Sequence, residues 1–398
     1  MSEANPPEAS PSGRIRGRVL WGAIAVAVVL GVGSLAYVVL VPTSSSPGSG
    51  PTGPIGSSTI ELLPSHGTRS ACIVGTPGVP RPELPLANGT FQGNTYSVPN
   101  GTMGHVGMCY SSDPGSLFAY ANWSRVGSTG GWFSYPTVAY GVNDWAYSVG
   151  GTPTYTHQGP AFELPQTVGA VARESIWNTV TYQFRAPNAS DTDGYDFSFD
   201  NFLTDGLPSE YEEGPFVEVM VWLDHHVTYP ATFAPWSAPT LVNGTVLPQP
   251  WSVGYWCHGT DNTSNANISF DFSYEGQGST GLASGTLGVN LSLILSDVEQ
   301  RVRSASCWTG PTGELSQFYL AQTNLGSEDG ALGGTSFNYN WTVSAYCFQT
   351  NVTDASGRTV GCGTAPAVTT SSGRPESYGS YLGFSGALPR WISETTSA

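Results

Sequence analysis

Between about residue 60 and residue 350, short runs of β-branched and aromatic residues alternate with clusters of Gly, Asn and Pro. Such runs favour strands, and such clusters favour the turns between them. One segment instead has the spacing of an apolar helix face, at Leu291, Ile294, Leu295, Val298 and Val302. Many strands and one short helix predict an all-β fold in which two sheets pack as a sandwich.

The sequence outside these strands predicts four further segments. Residues 19–41 contain no charge and follow three arginines, whereas residues 42–58 are rich in Pro, Gly and Ser. An apolar stretch of this length can span a bilayer, and it exceeds the roughly 7–15 apolar residues of a signal peptide. Arginines before such a span place the N-terminus in the cytoplasm. We therefore predict a cytoplasmic segment (1–18), a transmembrane anchor (19–41), a linker (42–58), an extracellular β-sandwich domain (59–350) and a C-terminal extension (351–398). Cleavage of the anchor would release the domain.

The charge and cysteine content limit the possible partners. The formal net charge is −16, the 13 basic residues are all arginine, and charged residues make up 11% of the chain. Such a surface repels phosphate backbones, so no nucleic-acid partner is expected. Six cysteines without C-x-x-C spacing favour three disulfides over a zinc site, with buried reduced thiols as the alternative. Sequons such as those at Asn88, Asn122, Asn188 and Asn340 fit an exported surface. No metal or cofactor is predicted.

Residues 216–223 have the alternating pattern of a strand with two different faces. Val217, Val219, Val221 and Leu223 would point to an apolar core, and Glu218, Met220 and Trp222 to the opposite side. A carboxylate beside Met and Trp suits a sugar site, because aromatic rings stack on the apolar face of a pyranose. The alternative is an exposed strand face with incidental aromatic residues.

Two further runs place polar groups on one strand face. In residues 195–202 these are Asp196, Ser198, Asp200 and Phe202, and in residues 318–328 they are Gln322, Asn324, Gly326 and Glu328. The segment between Asp200 and Glu218 suits two strands joined by a loop, so these two carboxylates are expected to be neighbours. The three runs together predict a sandwich with one concave, wetted sheet.

Four sequence blocks occur in a recognisable order. They are SYPTVAYG at 134–141, SFDNF at 198–202, EVMVWL at 218–223 and YLAQTNLGSEDG at 319–330. They resemble the S-Y-P-S-x-x-Y-G, A-Y-D-x-W, E-[IL]-M-[IV]-W-L and Y-L-x-x-x-x-x-G-[ST]-E blocks of glycoside hydrolase family 12, the endoglucanases and xyloglucanases. The resemblance covers roughly residues 70–346.

This resemblance implies a concanavalin-like jelly roll and an extracellular, endo-acting, retaining hydrolase of β-1,4-glucan. It implies Glu218 as nucleophile, Glu328 as acid/base and Asp200 as the assisting carboxylate. It also implies a disulfide between Cys72 and Cys109. Proximity along the chain suggests Cys257–Cys307 and Cys347–Cys362 for the others. The substrate-binding residues expected are Met220, Trp222, Asn100, Met103, Tyr135, Trp251 and Asn324. Met103 stands where the family's N-N-x-W-G loop has a Trp.

The residue types suit the chemistry of a retaining glycosidase. One carboxylate traps the oxocarbenium-like state as a glycosyl-enzyme, and a second carboxyl first protonates the leaving oxygen and then deprotonates water. The alternatives are a non-catalytic carbohydrate-binding surface protein and a structural surface-layer protein. We expect a monomer that is bound to the membrane by its anchor, acts on a β-glucan and works best below about pH 5, since carboxyl groups become neutral as the pH falls through about 4.

Overall fold

A computed structural model describes the strand-forming part of the chain. The described residues are 59–63, 70–75, 83–86, 89–95, 103–112, 115–124, 131–141, 164–186, 193–206, 217–226, 233–257, 268–276, 281–305, 308, 315–331, 336–350, 352 and 362. The predicted anchor, linker and cytoplasmic segment lie outside these residues. None of the helices in the described ranges has the length and apolar character needed to span a membrane.

The all-β prediction is confirmed by 17 strands. They are β1 (Thr59–Glu61), β2 (Ala71–Gly75), β3 (Glu83–Leu86), β4 (Gly89–Thr95), β5 (Met103–Ser112), β6 (Gly115–Ser124), β7 (Gly131–Gly141), β8 (Gln166–Thr167), β9 (Ile176–Arg185), β10 (Asp193–Thr204), β11 (Val217–His226), β12 (Ala234–Val242), β13 (Thr245–Cys257), β14 (Ile268–Tyr274), β15 (Ser284–Asn290), β16 (Tyr319–Ala331) and β17 (Phe337–Thr350). The predicted helix is present as α2 (Leu291–Val302). A second helix, α1 (Val168–Arg173), and a 3₁₀ turn (Leu315–Gln317) were not predicted.

The strands form one continuous hydrogen-bonded network. Its main series runs β2–β5–β6–β17–β9–β15–β12–β13–β14–β11–β10–β16–β7–β4–β3, with β1 beside β17 and β8 beside β16. The long β12–β13 hairpin joins the two halves, because residues 240–242 pair with β15 while residues 251–257 pair with β14. The hairpin turns at Asn243 and Gly244, both at positive φ, as a tight two-residue turn requires.

The two halves of this series face each other across an aromatic core. We call β2, β5, β6, β17, β9 and β15 the outer group, and β14, β11, β10, β16, β7 and β4 the site group. Phe197 of β10 packs on Tyr182 of β9 and Trp341 of β17, with ring centroids 4.7 and 5.6 Å apart. Phe91 of β4 also packs on Trp341, at 5.8 Å. Neither β10 nor β4 pairs with β9 or β17, so the network has folded over on itself. The expected pair of separate sheets is therefore one continuous network in two layers.

Five of the six cysteines are disulfide-bonded in the described part of the chain. Cys72 and Cys109 form a disulfide between β2 and β5, at directly opposed positions. Cys347 of β17 is bonded to Cys362. Both pairings confirm the predictions. Cys257 at the end of β13 is also disulfide-bonded, but its predicted partner Cys307 lies outside the described residues.

Candidate active site

The polar face of the site group is built by strand alternation. On β11, Val217, Val219, Val221 and Leu223 are fully buried in the core, so the residues between them point to the other side of the sheet. On β10 and β16, the same face carries Asp196, Ser198, Asp200, Asn324 and Glu328. Asp200 lies opposite Met220 on one neighbouring strand and opposite Asn324 on the other. The structure therefore brings all three predicted catalytic carboxylates to one surface.

Glu218 and Asp200 form a hydrogen-bonded carboxyl pair. Burial raises the pKa of Glu218 to about 8, the charges of Glu328 and Asp271 add to that rise, and the hydrogen bond with Asp200 opposes it. Burial also raises the pKa of Asp200 well above its ordinary value, with Glu218 as the strongest charged neighbour. Two carboxyls that share a hydrogen bond must share a proton, so the pair titrates as a unit.

Glu328 has its own buried carboxyl neighbour. Asp196 lies directly opposite Glu328 in the pairing of β10 with β16, and its Oδ1 accepts a 2.8 Å hydrogen bond from Ser198 Oγ. Burial raises the pKa of Asp196 well above its ordinary value, and the charge of Glu328 adds to this. Glu328 also contributes to the raised pKa of Glu218. Each proposed catalytic glutamate therefore has an aspartate beside it.

A fifth carboxyl, Asp271 of β14, was missed by the sequence analysis. It lies opposite Met220, and it accepts hydrogen bonds from Ser269 Oγ (2.6 Å, to Oδ1) and from the indole of Trp256. Burial raises its pKa to about 7 against these two hydrogen bonds, with a further contribution from Glu328. The alternation of Ser269, Asp271 and Ser273 with apolar residues was a readable signal for this polar strand face.

Four predicted binding residues lie on this face, but neighbouring side chains shield them from solvent. Asn324 Oδ1 accepts a 2.8 Å hydrogen bond from Gln322 Nε2. Tyr135 is buried, which raises the pKa of its phenol well above the ordinary value, and the charge of Asp200 adds to that rise. Met220 is buried, and Trp222 is 4% exposed because Phe233 stacks on it at 5.9 Å. Tyr135 and Asn324 are therefore placed beside the carboxylates, whereas Trp222 offers little surface to a ligand.

Of the other three predicted binding residues, two lie elsewhere in the structure and the third is outside the described residues. Trp251 points into the core, where its Nε1 donates to Thr240 Oγ1 at 3.0 Å and its ring packs on Tyr274. The expectation that Trp251 faces the cleft is therefore wrong: it lies on the core face of β13. Met103 begins β5 in the outer group, where it pairs with Ser124. Asn100 lies outside the described residues.

A second buried polar cluster lies at the far end of β11. His225 Nε2 and Ser273 Oγ are 2.7 Å apart. Burial lowers the pKa of His225 to about 4 and raises that of Asp224 to about 7. His225 and His226 end β11, and His226 stacks on Tyr195.

The arrangement can perform proton transfer and nucleophilic attack by carboxylates. Five carboxyls, those of Asp196, Asp200, Glu218, Asp271 and Glu328, share one face and influence one another's ionisation. Two ion pairs of the described ranges, Arg301–Asp297 and Arg303–Glu299, lie on α2 and at its C-cap, away from this face. Across those same ranges, no three His, Cys, Asp or Glu side chains are grouped as metal ligands.

Comparisons with known proteins give matches among solved structures only. No family model matches the chain, and no curated protein does. A family 12 xyloglucanase from Bacillus licheniformis is 16% identical, over 70% of this chain and 99% of that one, with a TM-score of 0.47. The Trichoderma harzianum endoglucanase 3 from family GH12 is 14% identical, over 71% and 97%, with a TM-score of 0.43. The endoglucanase cel12A from Rhodothermus marinus is 13% identical, over 69% and 98%, with a TM-score of 0.39. These structures belong to the family that the sequence blocks resemble, and the case for a function rests on the carboxyls of the polar sheet face.

Proposed function

We propose that this protein is a retaining, endo-acting glycoside hydrolase that cleaves β-1,4-glucan on a jelly-roll scaffold. The observation that carries the proposal is the hydrogen-bonded pair Glu218–Asp200 on the same sheet face as Glu328, close enough for each charge to influence the others. A glycosidase needs a carboxylate and a carboxylic acid that face one glycosidic bond.

In the proposed first step, the Glu218 carboxylate attacks the anomeric carbon while Glu328 donates its proton to the leaving oxygen. A glycosyl ester of Glu218 forms and the glycosidic bond breaks. In the second step, Glu328 takes a proton from water, whose oxygen displaces Glu218. Asp200 holds the shared proton while Glu218 is ionised, so it positions the nucleophile and favours its charged form.

A carbohydrate-binding protein without activity is the second candidate. It would bind through exposed aromatic and polar groups, and it would have no use for buried, mutually repelling carboxyls. Burying a carboxyl costs several kcal/mol unless it is paired or protonated. The five carboxyls of this face therefore favour the catalytic proposal.

Release of reducing ends decides between the two candidates. The full chain should hydrolyse at least one of cellulose, xyloglucan and mixed-linkage β-glucan, and Glu218→Gln should be slower by about 10³-fold or more. Each tenfold decrease in rate corresponds to an increase of about 1.4 kcal/mol in the activation free energy. Binding of these glucans without any release of reducing ends contradicts the proposal and favours the binding protein.

The stereochemistry of the product tests the assignment of Glu218 and Glu328. A retaining pair of carboxyls is about 5–5.5 Å apart, and an inverting pair about 6.5–9.5 Å. We expect the β-anomer as first product. Glu218→Gly with added azide should yield an α-glycosyl azide, because azide then enters from the vacated face. Glu328→Ala should retain the first step for substrates with good leaving groups. An α-anomer as first product would overturn the double displacement.

We further propose that the domain is held at the outer cell surface and acts in acid. The charge-free residues 19–41 behind three arginines support the anchor. The absence of lysine and the net charge of −16 support an optimum below about pH 5. Activity in acid requires Asp200 to keep the shared proton, because burial alone favours protonated Glu218. Recovery of the chain in a washed membrane fraction and a pH–rate profile test the two statements.

A further inference from the structure

Strand β13 presents one large aromatic side chain to the polar face of the site group. Trp251, Val253 and Tyr255 lie opposite Tyr274, Phe272 and Phe270 of β14, respectively, and pack with them in the core. The next residue along the strand, Trp256, therefore points to the face that carries the carboxyls. It is 40% exposed, whereas Trp251 is 2% exposed.

Trp256 lies in line with the proposed nucleophile. It is opposite Ser269 of β14, and Ser269 is opposite Glu218 of β11. Two strand spacings separate Trp256 from Glu218, which corresponds to about 10 Å. That is the length of two pyranose rings in an extended β-1,4-linked chain. A glucan that crosses these strands at Glu218 therefore reaches Trp256.

The indole ring is held in place by three neighbouring features. Its N–H donates to the buried carboxyl of Asp271. The strand is paired with β14 through the whole segment 251–257, and the following residue, Cys257, is disulfide-bonded. A ring that is already fixed loses little conformational freedom when a ligand covers it.

We propose that Trp256 is the stacking platform of a distal sugar subsite, which binds a glucan ring about two units from the cleaved bond. This inference rests on the proposed β-glucan function and names a residue that binds the substrate away from the reaction. The exposed ring face supplies apolar contact for the sugar, and Asp271 orients the ring.

Oligosaccharide binding by the inactive full chain tests the subsite. In the Glu218→Gln background, Trp256→Ala should weaken cellohexaose binding about tenfold, a loss of about 1.4 kcal/mol. Glucose bound next to Glu218 is a single ring and does not reach Trp256, so its affinity should stay within about twofold. Trp256→Phe retains a ring and should restore most of the cellohexaose affinity. Leu247→Ala, an exposed apolar truncation on the same strand, is the matched control and should have no effect.

The outcomes separate this inference from the proposed function. If the native chain hydrolyses glucans but Trp256→Ala keeps full cellohexaose affinity, the proposed subsite is wrong and the proposed hydrolase activity is supported. If cellohexaose binding depends on Trp256 but the native chain releases no reducing ends, the sugar-binding role of Trp256 is supported and the proposed hydrolase activity is wrong. If the Glu218→Gln chain binds no cellohexaose, the subsite is wrong, and the release of reducing ends by the native chain decides the proposed function separately.

Discussion

At the scale of single residues, the site is defined by carboxyls that repel one another. Asp196 and Glu328 lie directly opposite on neighbouring strands, an arrangement that destabilises a sheet when both are charged. The raised pKa of Asp196 reduces this repulsion, because the group stays protonated to higher pH. Asp196 is therefore expected to oppose folding at neutral pH and to be tolerated in acid.

Replacement of Asp196 by Asn tests this expectation. The amide oxygen still accepts from Ser198 Oγ, but the position no longer ionises. We expect Asp196→Asn to stabilise the protein at pH 7, because the amide cannot ionise in its buried position opposite Glu328. At pH 4 the two proteins should unfold at the same temperature. Thermal melts at both pH values measure this, and an equal shift at both would contradict an electrostatic cause.

The sequence predicted the carboxyls better than it predicted the aromatic residues. Glu218, Asp200 and Glu328 lie in strands whose alternation is unambiguous, so each was assigned to the correct face. The segment WSVGYW has a Trp at each end, five positions apart, and strand alternation places them on opposite faces. Nothing local distinguishes the two faces. The pairing of β13 with Phe270 and Phe272 of β14 decides which face is buried. This pairing cannot be read from the segment WSVGYW itself.

At the scale of elements, α2 is the most predictable and α1 the least. The five apolar positions of α2 are all buried, and Asn290 caps its N-terminus by accepting from the Leu293 amide at 3.2 Å. Helix α1 has six residues, which is too short for a helical period to be visible. Its start is fixed by Thr167, whose side chain accepts from the Ala170 amide. The pairing of β10 with β11 continues past Trp222 to His226, with one irregularity at Leu223.

The cap of α2 offers a prediction with a matched control. Asn290→Ala removes the acceptor for the Leu293 amide and should cost about 0.5–2 kcal/mol of folding free energy. Asn290→Ser also removes the sequon at this position but retains a capping oxygen, so it should cost only a few tenths of a kcal/mol. Urea titration of the three proteins measures the difference. If both variants lose the same folding free energy, the cause is the lost glycosylation site and not the lost cap.

At the scale of the whole molecule, the sequence predicts the strands but not their connection. The hairpin of β12 and β13 joins the two layers because its two strands pair with β15 and β14, respectively. These pairings depend on contacts between segments that are distant along the chain, and such contacts leave no periodic signal in either segment. The two-layer packing was nevertheless predictable, since each strand shows which of its faces is apolar.

The stability of the whole protein should be greatest in acid. Burial raises the carboxyl pKa values of Asp196, Asp200, Glu218, Asp224, Asp271 and Asp329. Above about pH 4 the unfolded chain loses these protons while the folded chain keeps them. Folding then takes up protons. The free energy of unfolding therefore decreases as the pH rises, by about 1.4 kcal/mol per pH unit for each proton taken up. His225 acts in the opposite direction between about pH 6.5 and 4, because burial lowers its pKa, but it is one group against six.

We therefore expect the unfolding temperature to be highest near pH 4–5 and to fall steadily towards pH 8, over the interval in which the raised carboxyls ionise. Repulsion among surface charges, from the net charge of −16, would produce a similar trend. Salt distinguishes the two causes, because a Debye length of about 3 Å at 1 M screens exposed charges and affects buried ones much less. Melts by circular dichroism from pH 4 to 8, at 0.05 and 1 M salt, measure the effect. If the unfolding temperature still falls with pH in high salt, the buried carboxyls cause the pH dependence. If the fall disappears, repulsion among surface charges causes it.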